Sequence, residues 1–324
     1  MDNEKMKVIL SEGLINAKGK IPYTFKNDYM FRMILQRHKK VLTGLICAVL
    51  HINKDDVANI TILNPIKLGE AIDDKTFIMD ISVLLNSNTV INLEMQVLNN
   101  GDWPERSLSY LARNYDNIAK GSAYIDVKPV YHIGFLNYTL FPEYPEFFAK
   151  YMMLNIKNHN VYTTKFNLYV IDLTKIDMAA EEDKAGDLLY WARLFKAATW
   201  EDLRQMAEKN QDCKEAAEAL YEFNQDEVVR QQCRAREDYY IREKVIAKKM
   251  EEKDAELKEK DAELQEKEAL IMTQERSLEE GYAALKHSNE LLANSVKSLI
   301  ERLHISEAEA CEIIGISVED YHVL

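Results

Sequence analysis

All six prolines fall between Pro22 and Pro145, and the chain from residue 146 to residue 324 has none. A segment without proline can run as long helices, whereas scattered prolines belong to turns, strand edges and helix starts. The sequence therefore predicts a mixed N-terminal part and a helical C-terminal part. Within the first, "NDYMFRMIL" opens a helix with Asn27 or Asp28 as its cap, and "KKVLTGLICAVL" reads as a second, mostly buried helix. Apolar runs rich in β-branched residues then predict strands at 60–63, 76–86, 89–98, 127–138 and 165–173. Between the third and fourth lies "WPERSLSYLARNYDNIAKG", a helix over 103–121 with Pro104 near its start and Gly121 as its C′ residue. This order indicates an α/β or α+β core with a central mixed sheet.

Charge is divided unevenly. Residues 1–180 carry 20 Lys and Arg against 19 Asp and Glu, which leaves 21 against 35 for the remainder of a chain of net charge −13. The acidic half would repel a polyanion, so a nucleic-acid contact is expected in the N-terminal part. The apolar stretch at 41–52 is too short to span a bilayer, and no membrane contact is expected. The four cysteines have neither CxxC nor Cys/His spacing, so neither a disulfide framework nor a zinc site is expected, and the cytoplasm is the expected compartment. GxSxG, GxGxxG, Walker-type and HExxH patterns are absent, which removes support for hydrolase-triad, dinucleotide, P-loop and zincin readings.

The chemistry is expected on the strand "TVINLEMQV". Alternate side chains share a face, so Leu93, Met95 and Val97 point one way and Asn92, Glu94 and Gln96 the other. The preceding strand holds one acid in an apolar context, Asp80. Asp80 and Glu94 face each other across an antiparallel hairpin only if position 87 is the middle of the turn. A three-residue loop Asn86-Ser87-Asn88, with Asn88 left-handed, meets that condition and brings the two Cβ atoms to about 5 Å. Adjacent buried carboxylates repel and need a proton, an arginine or a divalent cation between them; two oxygen donors suit Mg²⁺, which commonly meets phosphates.

These residues resemble a known family. Asp80 in "IMDISV", Glu94-x-Gln96 in "LEMQV", "PERSLSYLARNY" and "KGSAYIDVKPVYHIGFLNY" are similar to the Rpn family of recombination-promoting nucleases, the PD-(D/E)XK nuclease family transposases, from Tyr23 to Lys175. The resemblance implies a restriction-endonuclease-like core and metal-dependent hydrolysis of DNA phosphodiesters, with Mg²⁺ as cofactor and Mn²⁺ as a substitute. It implies Asp80 and Glu94 as metal-binding acids and the Met95 carbonyl as a further ligand. Gln96 stands where the broader superfamily has a lysine; it cannot supply positive charge but can orient a water. Arg106 and Tyr110 occupy the place of a Gln-x3-Tyr helix motif, and Arg113 shares their helical face; these three support the phosphate or brace the carboxylates. Asp28 is a further candidate acid beside its reading as a cap.

Other readings stand beside these. Asp80 and Glu94 could form a structural ion pair with Arg106 or Arg113 instead, and Gln96 could be a satisfied core amide. His51 and His132 read as core or edge histidines. The expected organisation is a tail at 1–20, the nuclease-like domain at 21–180, a helical region at 181–225, a long charged helix at 226–303 and a short helical tail at 304–324. In the long helix Leu257, Leu264 and Ile271 recur every seven residues, but the second heptad position falls on charged residues, so the coiled-coil seam is weak and a solvated helix competes with a homo-oligomer. Ser306 with Glu309 forms a capping-box signature, Gly315 closes that helix and Ser317 opens another, a packing element in preference to a DNA-reading one. Two further function classes remain: an inactive DNA-binding or regulatory module of the same fold, and an interaction protein that works through its C-terminal helix.

Overall fold

The computed structural model describes residues 10–65, 81–116, 118, 121–184 and 186–324. The chain forms two compact units, residues 1–243 and 244–324. The first contains helices α1 (Glu12–Asn16), α2 (Asp28–Arg37) and α3 (Lys39–Leu50), strands β1 (Ile60–Ile62), β2 (Ile81–Leu85) and β3 (Thr89–Gln96), and helix α4 (Trp103–Tyr115). Strands β4 (Val130–Leu136), β5 (Phe148–Met152) and β6 (Phe166–Asp172) follow, then helices α5 (Glu181–Lys184), α6 (Leu188–Lys196), α7 (Trp200–Ala207) and α8 (Gln211–Gln225). Helix α9 (Glu227–Leu303) begins in this unit, and α10 (Glu307–Ile314) and α11 (Val318–Val323) belong to the second.

Six strands make one mixed sheet in the order β1-β2-β3-β4-β6-β5. Strands β1, β2 and β3 are antiparallel neighbours, β3, β4 and β6 are parallel, and β5 closes the far edge antiparallel to β6. Parallel neighbours need a crossover, and α4 supplies it between β3 and β4. Strand β5 was not among the expected strands; Lys150 at its centre interrupts the apolar pattern by which a strand is recognised, and a charge there is suited to an edge.

The two faces of β3 do different work. Leu93 and Met95 enter the main core with α2 and α3. That core continues through Trp191, Phe195 and Leu220 of α6 and α8 and takes in Val229 and Cys233 of α9. Asn92, Glu94 and Gln96, all buried, occupy the other face of the sheet, where α4 packs on β4 and β6 and reaches β3 through Arg106. There Trp103 lies over Gly134 of β4, where a Cβ would stand 2.2 Å from the indole Cζ2 and only glycine fits.

The hairpin has the expected register. Ile81 pairs with Leu93 and Leu85 with Thr89, so the loop is Asn86-Ser87-Asn88, centred on Ser87. The left-handed residues are Asn86 and Ser87, at φ 49° and 61°, and not Asn88. Asn86 takes that conformation because its side chain is committed elsewhere: it accepts from the Ala58 and Asn59 N–H groups and donates to the Asp56 carbonyl. Helix α4 starts with Pro104 in its first turn, as expected, but stops at Tyr115 with Asp116 as its C-cap; Gly121, although left-handed, is not its C′ residue.

Asn27 caps α2 by accepting from the Met30 N–H, which leaves Asp28 inside the first turn. In the second unit, Ser306 and Glu309 form the capping box, Gly315 ends α10 at φ 83° and Ser317 caps α11. These helices bury Ala310 and Cys311 against Val296 of α9.

Candidate active site

Glu94 and Gln96 sit two residues apart on the α4 face, both 8% exposed. Arg106, one turn into α4, bonds both: its guanidinium donates to the Glu94 carboxylate and, at 2.7 Å, to Gln96 Oε1. Gln96 Nε2 in turn donates to the Leu98 carbonyl at 3.0 Å, so the amide is held at both ends. One hydrogen on Nε2 and one lone pair on Oε1 remain for a further partner. A carboxylate this deeply buried needs a positive charge nearby, and Arg106 supplies it.

Parallel pairing brings a residue from β4 into the same cluster. Asn92 is registered with His132, and their side chains meet at 3.0 Å between Nδ2 and Nδ1. His132 Nε2 faces Glu94 Oε2 at 3.6 Å. A carboxylate only accepts, so the hydrogen belongs on Nε2 and Nδ1 accepts from Asn92. Burial and then Arg106 push His132 down from 6.5 to about 3, so the ring is neutral and its contact with Glu94 is not an ion pair. Tyr110 stacks on the ring at 6.1 Å between centroids, and the Arg113 guanidinium lies 5.9 Å from the Tyr110 centroid. Arg106 also lies over Trp103 at 5.7 Å. Tyr138 is pushed up by burial, with Glu94 and Asp102 adding to it and Arg106 opposing it, and stays a phenol.

The depressed His132 has a consequence for acid stability. Between pH 6.5 and 3 the unfolded chain binds a proton that the folded imidazole refuses, so stability falls as the pH drops, by up to roughly 1.4 kcal/mol per unit. Urea midpoints measured in EDTA from pH 7 to 4 should therefore fall less steeply for His132→Gln than for the wild type. Equal slopes would contradict a neutral buried His132.

The structure thus gathers Glu94, Gln96, Arg106, Tyr110 and Arg113. Asp80 lies outside the described residues; the last described pair on that side is Ile81 with Leu93. Backbone groups alternate sides along a strand, and the Val90 N–H and Gln96 carbonyl both bond on the β4 side. Met95, at an odd position, therefore turns its carbonyl toward the β2 side. Among the described residues no three His, Cys, Asp or Glu side chains cluster as a metal site would require.

Asp28 is not part of this cluster. Its carboxylate takes Arg236 Nε–H at 2.6 Å, the Tyr240 hydroxyl at 2.5 Å and the Tyr29 N–H at 2.8 Å. Burial pushes the Asp28 carboxyl up, but three donors converge on it and an arginine does not give up its proton, so the pair is ionised. Burial and the Asp28 carboxylate push Tyr240 up, which keeps its hydroxyl a donor.

Missing from the residues singled out by sequence are His132 as a neighbour of Glu94, which the β3–β4 register brings there and no turn dictates, and Trp103, which α4 lays over Gly134.

Together, the mixed sheet, the acidic residue on its third strand and the arginine-bearing helix α4 define an α/β protein with a buried Glu-Gln-Arg cluster. The sequence matches the PD-(D/E)XK nuclease family transposase family over residues 25–250, and the chain belongs to that family. Comparison with curated proteins and with solved structures gave no match. The matched span includes Arg236 and Tyr240, so the brace on Asp28 lies within the family region.

Proposed function

We propose that the protein is a divalent-metal-dependent endonuclease that hydrolyses DNA phosphodiester bonds, with Asp80, Glu94 and the Met95 carbonyl as metal ligands. The observation that carries this reading is the hairpin register centred on Ser87, which ends the described pairs with Ile81 against Leu93 and leaves Asp80 and Glu94 as the next positions in sequence on either strand. The donor types suit a hard cation, since the Glu94 carboxylate, on the α4 face, and the Met95 carbonyl, on the β2 side of β3, both offer oxygen. Such an ion, Mg²⁺ or Mn²⁺, would lower the pKa of a bound water and stabilise charge on a phosphate oxygen.

The chain's own residues orient the rest. Arg106 fixes the Glu94 carboxylate and the Gln96 amide, which keeps one hydrogen and one lone pair with which to place a water. Neutral His132 backs the Glu94 carboxylate without adding a second positive charge. Exposed Arg113 and half-buried Tyr110 present a phosphate-binding edge along α4. Four free, buried cysteines agree with a reducing cytoplasm. Among the described residues no helix is long and apolar enough to cross a membrane.

A second reading, a DNA-binding module without catalysis, is favoured by one observation: Arg106 already supplies the charge that Glu94 needs. Supercoiled plasmid separates the two. The endonuclease nicks or linearises it with Mg²⁺ and stops in EDTA, whereas a folded protein that retains plasmid in a gel shift and leaves it intact is the binding module.

A further inference from the structure

Strand β4 keeps its alternation past its own end. His132, Gly134 and Leu136 share the α4 face: His132 meets Asn92, Gly134 lies under Trp103, and Leu136 packs in one cluster with that indole. The Asn137 N–H donates to the Gln96 carbonyl at 2.9 Å, so the β3–β4 ladder still holds one residue beyond the strand. Tyr138, two residues after Leu136, falls on the same face as Glu94 and Gln96. Its ring packs against the cluster of Trp103, Leu136, Ala149 and Val170, and Arg106 lies over the Trp103 indole of that cluster.

The ring is seated but the hydroxyl is open. Tyr138 is half-buried and its hydroxyl makes no hydrogen bond among the described residues, whereas a phenol packed into an apolar cluster ordinarily finds a partner. A tyrosine placed there only to fill space could as well be phenylalanine. Arg106, Glu94 and Asp102 are near enough for their charges to act on the hydroxyl, and burial keeps its hydrogen in place.

The surroundings select what that hydrogen meets. Tyr138 stands at the carboxyl ends of the parallel strands β3 and β4, the side of an α/β sheet on which ligands are held. Glu94 and Gln96 Oε1 already accept from Arg106, and Gln96 Nε2 donates to the Leu98 carbonyl. A nonbridging phosphate oxygen only accepts and carries charge, so it makes a stronger bond with a phenol than water does.

We infer that the Tyr138 hydroxyl donates a hydrogen bond to a nonbridging oxygen of the scissile phosphodiester and holds that phosphate at the Glu94–Gln96 edge. This rests on the nuclease reading and adds to it a substrate-binding residue from the sheet, where Tyr110 and Arg113 come from α4.

Tyr138→Phe removes the hydroxyl and keeps the ring, so the cluster stays packed. Nicking of supercoiled plasmid in Mg²⁺, with protein in excess so that the rate reports the bound complex, should slow about tenfold or more. The thermal midpoint without DNA should not move, and retention of plasmid in a gel shift in EDTA should stay within about twofold, because one hydroxyl is a small part of a charge-dominated DNA contact. A Tyr138→Phe protein that nicks within about twofold of the wild type overturns this inference alone. So does one whose rate falls only together with its thermal midpoint, the mark of a packing role. A wild type that leaves the plasmid intact in Mg²⁺ overturns the nuclease reading and this inference with it.

Discussion

Replacing Arg236 with alanine is expected to cost roughly 3–5 kcal/mol, among the largest single-residue losses in the first unit. Asp28 is 1% exposed and Arg236 7%, so truncation strands a carboxylate that has only the Tyr240 hydroxyl and the Tyr29 N–H left. The contact joins residues 208 apart in sequence and ties the first turn of α2 to α9. The double replacement Asp28→Asn with Arg236→Met should cost far less than the single one, because removing both charges also removes the expense of burying them. All three tryptophans, Trp103, Trp191 and Trp200, lie in residues 1–243, so their fluorescence during denaturant unfolding follows this unit. A single-variant loss below about 1 kcal/mol would mean that water or another group replaces Arg236.

The second large effect is catalytic. Glu94→Gln keeps an oxygen that can accept from Arg106 and nearly the same shape, but it removes the negative charge. If Glu94 only anchors Arg106, the amide serves almost as well and cleavage is kept. If it holds a metal, cleavage falls by about 100-fold or more while the thermal midpoint moves little. Measuring rate and midpoint on the same preparation separates the two roles, since a variant that loses both in parallel has lost its fold.

The difference between what was legible and what was not follows from the distance over which each feature is decided. The polar face of "NLEMQ" and the Ser87-centred register are local: strand alternation and the loop length fix them, and the structure has both. The caps at Ser306 and Ser317 are local too. The wrong left-handed residue in the hairpin loop came from a tertiary demand, as Asn86 bonds backbone at 56–59. His132 read as an ordinary core histidine, and it is buried and neutral; its place beside Glu94 depends on parallel pairing across the α4 crossover, which no turn sets. Asp28 was legible as a cap candidate, but Asn27 takes the cap, and the donors that claim Asp28 come from a helix 200 residues away. Arg106, Tyr110 and Arg113 were legible as one face of a helix, but not that Arg106 grips Gln96 as well as Glu94.

The central claim is that Asp80 and Glu94 act together as a metal-binding pair. It is tested most directly by incubating supercoiled plasmid with wild type, Asp80→Ala and Glu94→Ala, each in Mg²⁺ and in EDTA. The account predicts cutting by the wild type in Mg²⁺ alone and none by either folded variant. Unchanged cutting by either variant, or cutting that EDTA does not stop, would contradict it.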